Sequence, residues 1–380
     1  MEKKVIVAGH VCMDITLPLG GKKVSEIGQL LRPGKLFSVG EAAVYPGGVV
    51  ANTGLALKLF DVNTALVGKL GCDPFGDIIY SNFAERDAES WLIREKEETS
   101  SYTVALAAPG IDRILLNHPG ANDTFSAADL SSELLEGASL FHFGYPPLMR
   151  KMYENTGEEL VAVLQKAKAA GAVTSLDLSM VDPDSQAGKA NWKKILEKSL
   201  PYVDIFVPSA EELCYMLDRE KYEALRKRAG AADLCELISI NEDIRPLAET
   251  CMRLGVKILL IKCGAPGLYY RTASTRQLER ISKVLDLKKD DWAEKEGFEA
   301  SYIPEQVLSG TGAGDTSIAA FLASLLKGCG PEDCARFAAA TGACCVSAYD
   351  ALSGLKSLEE LDKKIQSGWK KRESKGEASC

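Results

Sequence analysis

The chain has 380 residues, 46% of them hydrophobic and 26% charged, with a formal net charge of −8. That length and apolar share suffice for one large domain with an appendage, while Lys and Arg interleaved among acids exclude the basic face that a nucleic-acid backbone requires. Eleven cysteines without a C-x-x-C pair and only three histidines (His10, His118, His142) speak against zinc and for thiols kept reduced in a cytoplasmic setting.

The start, MEKKVIVAGHVCMD, has basic residues before an apolar run that Asp14 soon interrupts, so it reads as a first strand and not as a signal peptide. No later apolar run is long enough to span a bilayer. Further strands are predicted at Thr64–Val67, Leu140–Phe143, Val173–Leu178, Ile205–Val207 and Lys257–Ile261, and helical patterns lie near 49–60, 158–170, 189–199, 210–217 and 243–254. Strands separated by helices imply right-handed crossovers and a mostly parallel, doubly wound sheet with helices on both faces. Two segments, 11–46 and 100–122, break that rhythm with consecutive strands and turns, and they predict a small separate β-sheet. The core is then assigned to 1–10, 47–99 and 123–368. The charged stretches 218–245 and 272–300 lack a strong strand signal and read as surface insertions containing helix. Residues 369–380, rich in Lys, Ser and Glu, read as a disordered tail.

The stretch 309-SGTGAGDTSIAAFLASLL-326 places three glycines and then an acid at the start of an apolar helical pattern. A glycine turn entering a helix is an anion site, because unpaired backbone N–H groups and the helix dipole favour negative charge there. Asp315 is out of place beside an anion. A dinucleotide fingerprint would need a third glycine at Asp315 or Ser317, and a P-loop would need a lysine. Two readings remain: Asp315 caps the helix, or it takes the proton of a hydroxyl that attacks a phosphoryl group held by the loop. A second block, 46-PGGVVANTGLALKLFDVNTALVGKLGCDPFG-76, offers Gly47 and Gly48 for close backbone approach and Asn52 as both donor and acceptor to a polyol. Its alternative is a strand-to-helix turn with Asn52 as a cap.

The GTGAGD block resembles the C-terminal signature of the ribokinase-like (PfkB) carbohydrate kinases, and 46–76 resembles their N-terminal signature. Together they imply an α/β sandwich of ribokinase type with a small β lid, and an ATP- and Mg²⁺-dependent kinase acting on a hydroxyl of a sugar or sugar-like small molecule. The resemblance implies Asp315 as general base and Gly312, Ala313 and Gly314 as anion hole. It assigns the acceptor to Asp14, Gly47, Gly48 and Asn52, and the nucleotide to Lys262, Gly264, Gly267 and Thr311. In 207-VPSAEEL-213 it puts Glu212 on magnesium through water, with Ser209 where Asn is usual; an acidic first helical turn explains Glu212 equally. The Gly-Ala-Asn of 118-HPGAN-122 resembles the end of the family's lid strands, and relatives often pair lids in a homodimer. Three departures narrow the reading. Gly144 stands where ribose-specific members carry an acid, DLSMVDP lacks the Asn and Arg of several hexose and keto-acid kinases, and Ser309 replaces an acid that helps bind a monovalent cation. A nucleoside kinase of the same fold, or a sugar-binding regulator without catalysis, remains the alternative.

Overall fold

The computed structural model describes residues 3–20, 24, 27–29, 31–108, 114–230 and 233–373. Parts of the expected small sheet (21–23, 25–26, 30 and 109–113), residues 231–232 and the tail from 374 onward lie outside the described residues.

An eight-stranded sheet forms the centre of the molecule. Its strands are β1 (Lys4–Gly9), β4 (Thr64–Val67), β9 (Ala138–Gly144), β10 (Val173–Leu176), β11 (Ile205–Phe206), β12 (Ile258–Lys262), β13 (Gly267–Thr272) and β14 (Glu296–Ala300), in the order β14-β13-β12-β11-β10-β9-β1-β4. All neighbours run parallel except at β12–β13 and β13–β14. Alternation along β1 sends Val5 and Val7 into the core on one face and Ile6 and Ala8 into the core on the other, as a period of two requires. Ile258 and Leu260 of β12 likewise oppose Leu259 and Ile261. Burial on both faces is why these runs read as unbroken apolar stretches.

Helices Gly48–Leu59, Ala313–Leu326 and Pro331–Cys345 cover the first face, and Glu158–Ala169, Trp192–Ser199 and Ala210–Leu217 the second. From Ile318 to Leu325 every residue of Ala313–Leu326 is buried, as a helix apolar all round must be. Among the described residues no helix is long and apolar enough to cross a membrane.

A second sheet of four strands, β2 (Cys12–Pro18), β3 (Ala43–Gly47), β7 (Tyr102–Ala107) and β8 (Ile114–His118), has the order β3-β2-β7-β8. Strands β5 (Lys69–Gly71) and β6 (Ile93–Glu95) form a short parallel pair. Val44 and Tyr45 of β3 and Leu115 and Leu116 of β8 are exposed. Adjacent strand residues point to opposite faces, so both faces of this sheet present apolar side chains to solvent.

Two expectations need correction. Segment 272–300 is no surface insertion: Leu278, Ile281 and Leu285 of the helix Thr275–Leu285 are buried, Trp292 is buried, and β14 completes the main sheet against β13. Its sequence, EGFEA, hides the strand because an edge strand tolerates charge on its wet face. Residues 369–373 are not a loose tail either. The Trp369 ring lies 4.7 Å from Tyr302, its indole N–H donates to the Ile303 carbonyl at 2.7 Å, and Lys371 bridges to Tyr302.

At the amino ends of the parallel strands, where β11 begins, Asp204 is buried and gathers three cations: Lys168 at 2.7 Å, Arg280 at 2.7 Å and Lys257 at 3.4 Å. It also accepts the Thr174 backbone N–H at 3.1 Å. Burial alone would raise its carboxyl, but Lys168, Lys257 and Thr174 hold it below the ordinary carboxylate value.

Candidate active site

The predicted site residues gather at the opposite, carboxyl ends of the parallel strands. The chain passes from β1 to β4 on one side and then crosses to β9 on the other, which makes the carboxyl ends of β1 and β9 the crevice where doubly wound folds bind ligands. Gly9 and Gly144 are paired across these strands. A β-carbon at Gly9 would stand 2.4 Å from the Gly144 carbonyl oxygen, and one at Gly144 would stand 2.5 Å from a Val49 methyl. The floor of the crevice is therefore backbone on backbone. Past these ends come His10, Tyr145, Asp177 beyond β10, and Lys262 at the end of β12.

Asp315 is buried against this crevice, three residues into the helix Ala313–Leu326. The helix N-cap is Gly312, with φ of 73°, a left-handed value that a glycine adopts without strain. The capping reading of Asp315 does not survive that geometry. Its carboxylate instead accepts hydrogen bonds from Asn52 Nδ2 at 3.1 Å, from Thr53 Oγ1 at 3.4 Å, and from the Tyr145 hydroxyl at 2.7 Å to each oxygen. All three donors are neutral. Burial raises the Asp315 carboxyl above its usual value, while Tyr145, Lys262 and Asn52 draw it partly back. A carboxylate tuned upward and left without a cation on it suits a proton acceptor working near neutral pH.

Lys262 lies beside the glycine loop: a β-carbon on Gly314 would be 3.6 Å from its Nζ. The ammonium pairs with Asp177 Oδ1 at 2.7 Å. Burial lowers and Asp177, Glu212 and Asp315 raise the ammonium, with an upward net direction, so it is charged. Burial pushes the Asp177 carboxyl upward, and nearby Glu212 and Asp315 add to this against the pull of Lys262. Its second oxygen, Oδ2, has no hydrogen-bond partner among the described residues. Glu212 is also buried; one of its oxygens accepts the Ser209 N–H at 2.7 Å while Ser209 Oγ accepts the Glu212 N–H at 3.2 Å. That reciprocal pair is a capping box, and it explains why serine serves at 209.

The remaining predicted residues fall into two groups. Gly47 abuts the Asp14 carboxylate, Gly48 abuts His10, and Gly312 abuts both Ala351 and Asn52. Asp14, Gly47, Gly48, Asn52, Asp315, Gly314 and Lys262 thus form one continuous wall. Asn52 spends an amide hydrogen on Asp315. Thr311 lies in the turn before Gly312, where its backbone N–H donates to Ser309 Oγ at 3.1 Å. By contrast, Gly264 packs on Cys235 and Gly267 on the Glu299 carbonyl of β14. Both have a structural reason to be glycine at the β12–β13 turn.

Residue-by-residue reading missed Tyr145, Asp177, Thr53 and His10. An acid at the carboxyl end of a buried strand was the available signal for Asp177. Nothing in the spacing of Tyr145, at the head of a Tyr-Pro-Pro turn, announces that it reaches a residue 170 positions away. His10 is buried, its ring 5.8 Å from that of Tyr145, and burial lowers its imidazole to about 4.

Comparison with known proteins adds a family and a fold. The family model described as pfkB family carbohydrate kinase matches residues 2–358. A protein of Archaeoglobus fulgidus described as an uncharacterized sugar kinase is 26% identical over 305 residues, covering 79% of this chain and 98% of its own. Among solved structures, Arabidopsis thaliana ribokinase complexed with ribose and ATP superposes with a TM-score of 0.68 at 21% identity, covering 96% of this chain and 99% of that one. Fructokinase with bound ATP from Xylella fastidiosa gives a TM-score of 0.70 at 19% identity, with 97% and 99% covered. At these identities the structural likeness is one of fold: the doubly wound sheet with a small additional sheet read from the sequence.

Proposed function

The chain belongs to the pfkB family of carbohydrate kinases, phosphotransferases with an alcohol as acceptor, and from that premise we propose that it moves the γ-phosphoryl group of ATP to a hydroxyl of a sugar or sugar-like small molecule, with Asp315 as general base. The observation that carries this reading is the Asp315 carboxylate itself: buried, held by three neutral donors, and set within the first turn of a helix that opens on glycines. The acceptor O–H gives its proton to Asp315 as its oxygen bonds to phosphorus, and the bridging oxygen departs with ADP. Backbone N–H groups at 312–314 and the Lys262 ammonium stabilise the equatorial oxygens. Asp14 and Asn52 hold other hydroxyls of the acceptor; Thr311 and the 264–267 turn flank the nucleotide.

Magnesium, when bound, neutralises triphosphate charge. The residues present fit it: Asp177 keeps an unpartnered buried oxygen, and Glu212 lies close enough to act on its charge. Both would hold the ion through water. Nothing at Ser309, which donates to Thr311 Oγ1 at 3.1 Å, supplies the carboxylate that a monovalent cation would want.

In this reading the core (1–10, 47–99, 123–368) binds both substrates, and the sheet from 11–46 and 100–122 closes over them, excluding water as a competing acceptor. That sheet is exposed on two faces. One face meets the cleft, and the other fits a second copy of the chain, giving a homodimer. The test is a coupled ADP-release screen over sugars, sugar acids, polyols and nucleosides. Turnover is expected with at least one sugar-like acceptor, abolished by EDTA and restored by Mg²⁺; metal-independent turnover, or turnover with nucleosides alone, overturns the reading. Sedimentation showing only monomer at micromolar concentration removes the dimer.

A further inference from the structure

Tyr145 stands in an unusual place. It directly follows β9 with φ of 65° and ψ of 41°, a left-handed conformation that side chains bearing a β-carbon adopt only when their surroundings impose it. Pro146 and Pro147 follow at once. The turn sends the phenol across the strand ends onto Asp315, with its ring against His10. Its oxygen is 2.7 Å from both carboxylate oxygens. A phenol has one proton and can donate to one oxygen at a time, so this hydroxyl straddles the carboxylate and covers the approach that a second hydroxyl needs. Asn52 and Thr53 reach the same carboxylate from the helix Gly48–Leu59.

We propose that Tyr145 is a positioning residue of the phosphoryl transfer: with no acceptor bound, its hydroxyl holds the place on Asp315 that the acceptor hydroxyl takes, and so denies that place to water. The inference rests on Asp315 being the base. An acceptor anchored by several of its own hydroxyls displaces the phenol from the shared position to a single oxygen. A lone water has no such anchorage. Without the phenol, water gives its proton to Asp315, bonds to the γ-phosphorus, and releases phosphate and ADP. Tyr145 also helps keep Asp315 ionised, since a donor to a carboxylate favours the charged form. Among the described residues, the other titratable groups around the Tyr145–Asp315 pair are Lys262 on β12, Asp177 beyond β10, Glu212 at the start of the helix Ala210–Leu217, His10 past β1, and the thiols of Cys12 and Cys345.

The test is Tyr145→Phe in the full chain, which keeps the ring and its packing. Two quantities are read: the ratio of ATP hydrolysis without acceptor to phosphoryl transfer with the best acceptor, and the acid limb of kcat/KM against pH. The ratio is expected to rise at least several-fold, and the acid limb to move to higher pH because Asp315 loses a donor. Either quantity unmoved in a folded variant overturns the proposal. Should the variant not fold, replacing tyrosine by 3-fluorotyrosine in the unmutated chain decides: its more acidic phenol donates more strongly, so the acid limb must move to lower pH, and an unmoved limb overturns the proposal. A wild-type chain that phosphorylates no acceptor overturns the kinase reading, and this inference with it; an active wild type beside an unaltered Tyr145→Phe overturns this inference alone.

Discussion

The two ends of the central sheet's parallel strands, which mark off its amino and carboxyl edges, each bury an aspartate, and they treat it in opposite ways. Asp204, where β11 begins, is wrapped by Lys168, Lys257 and Arg280 and held below the ordinary carboxylate value. Asp315, at the edge where the parallel strands end, is wrapped by an amide, an alcohol and a phenol and lies above it. A carboxylate locked to cations contributes to holding the fold and has little appetite for a proton. One held by neutral donors keeps its shape and remains basic. Burial is common to both; the partners decide the role.

The sharpest way to break that contrast is to neutralise each acid in turn. Asp315→Asn keeps the size and much of the hydrogen bonding, so its melting temperature should stay near that of the wild type while turnover falls by about 10²–10⁴-fold. Turnover within a few-fold of wild type would return Asp315 to a structural part. Asp204→Asn should do the reverse, lowering stability by about 3 kcal/mol, the low end for a broken buried pair because Lys168 and Arg280 keep contact with water. Urea unfolding reads the loss. A kcat that falls with it would mean the two edges are not independent.

A smaller effect separates the edges by pH. Burial and the nearby Lys262 lower the His142 imidazole to about 3, far below the value near 6.5 of an unfolded chain. The unfolded state therefore binds the proton first. The stability that neutral His142 contributes is complete above about pH 6.5 and drains away as pH falls from there toward the folded value. Asp177 and Asp315, whose carboxyls are raised, act with the opposite sign, so the quantity to measure is the difference between wild type and His142→Gln. From pH 7 to pH 5 the wild type should lose about 2 kcal/mol relative to the variant; a constant difference would show that the fold leaves the imidazole's affinity for a proton as it is in the unfolded chain. Asp204, held low, contributes nothing to that interval.

The smallest effect concerns the rim. Asp14→Ala should raise the KM of the acceptor by a factor corresponding to about 1–2 kcal/mol while leaving that of ATP nearly unchanged. Equal changes in both would make Asp14 part of the β2–β3 framework that its contact with Gly47 already serves.

What the sequence disclosed follows from how local each signal is. Val5–Val7 and Lys257–Ile261 announced central strands because burial on both faces leaves a continuous apolar run. The glycines before Asp315 announced a helix entrance because they are contiguous with it. β14 stayed hidden since its place depends on β13 and not on its own residues, and Trp369 was read with its charged neighbours although it packs on Tyr302. The site divided along the same line. Asp14, Asn52 and Asp315 stand in compact motifs, whereas Tyr145 and Asp177 acquire meaning only when separate strand ends come together. Glu212 was legible in position, yet its bond to Ser209 is a local helix-start device that the sequence equally allowed.

The contact of Gly9 with Gly144, and of Gly144 with Val49, bears on how a mutational map of this protein would look. Any side chain at either position would collide with atoms 2.4–2.5 Å away. In a saturation screen for growth or activity both glycines should score as intolerant as Asp315, although neither exchanges a proton or touches phosphate. Such a map would outline the crevice faithfully while failing to distinguish its floor from its chemistry; that distinction requires a second screen reading abundance, in which substitutions at Gly9 and Gly144 deplete the chain and Asp315→Asn does not.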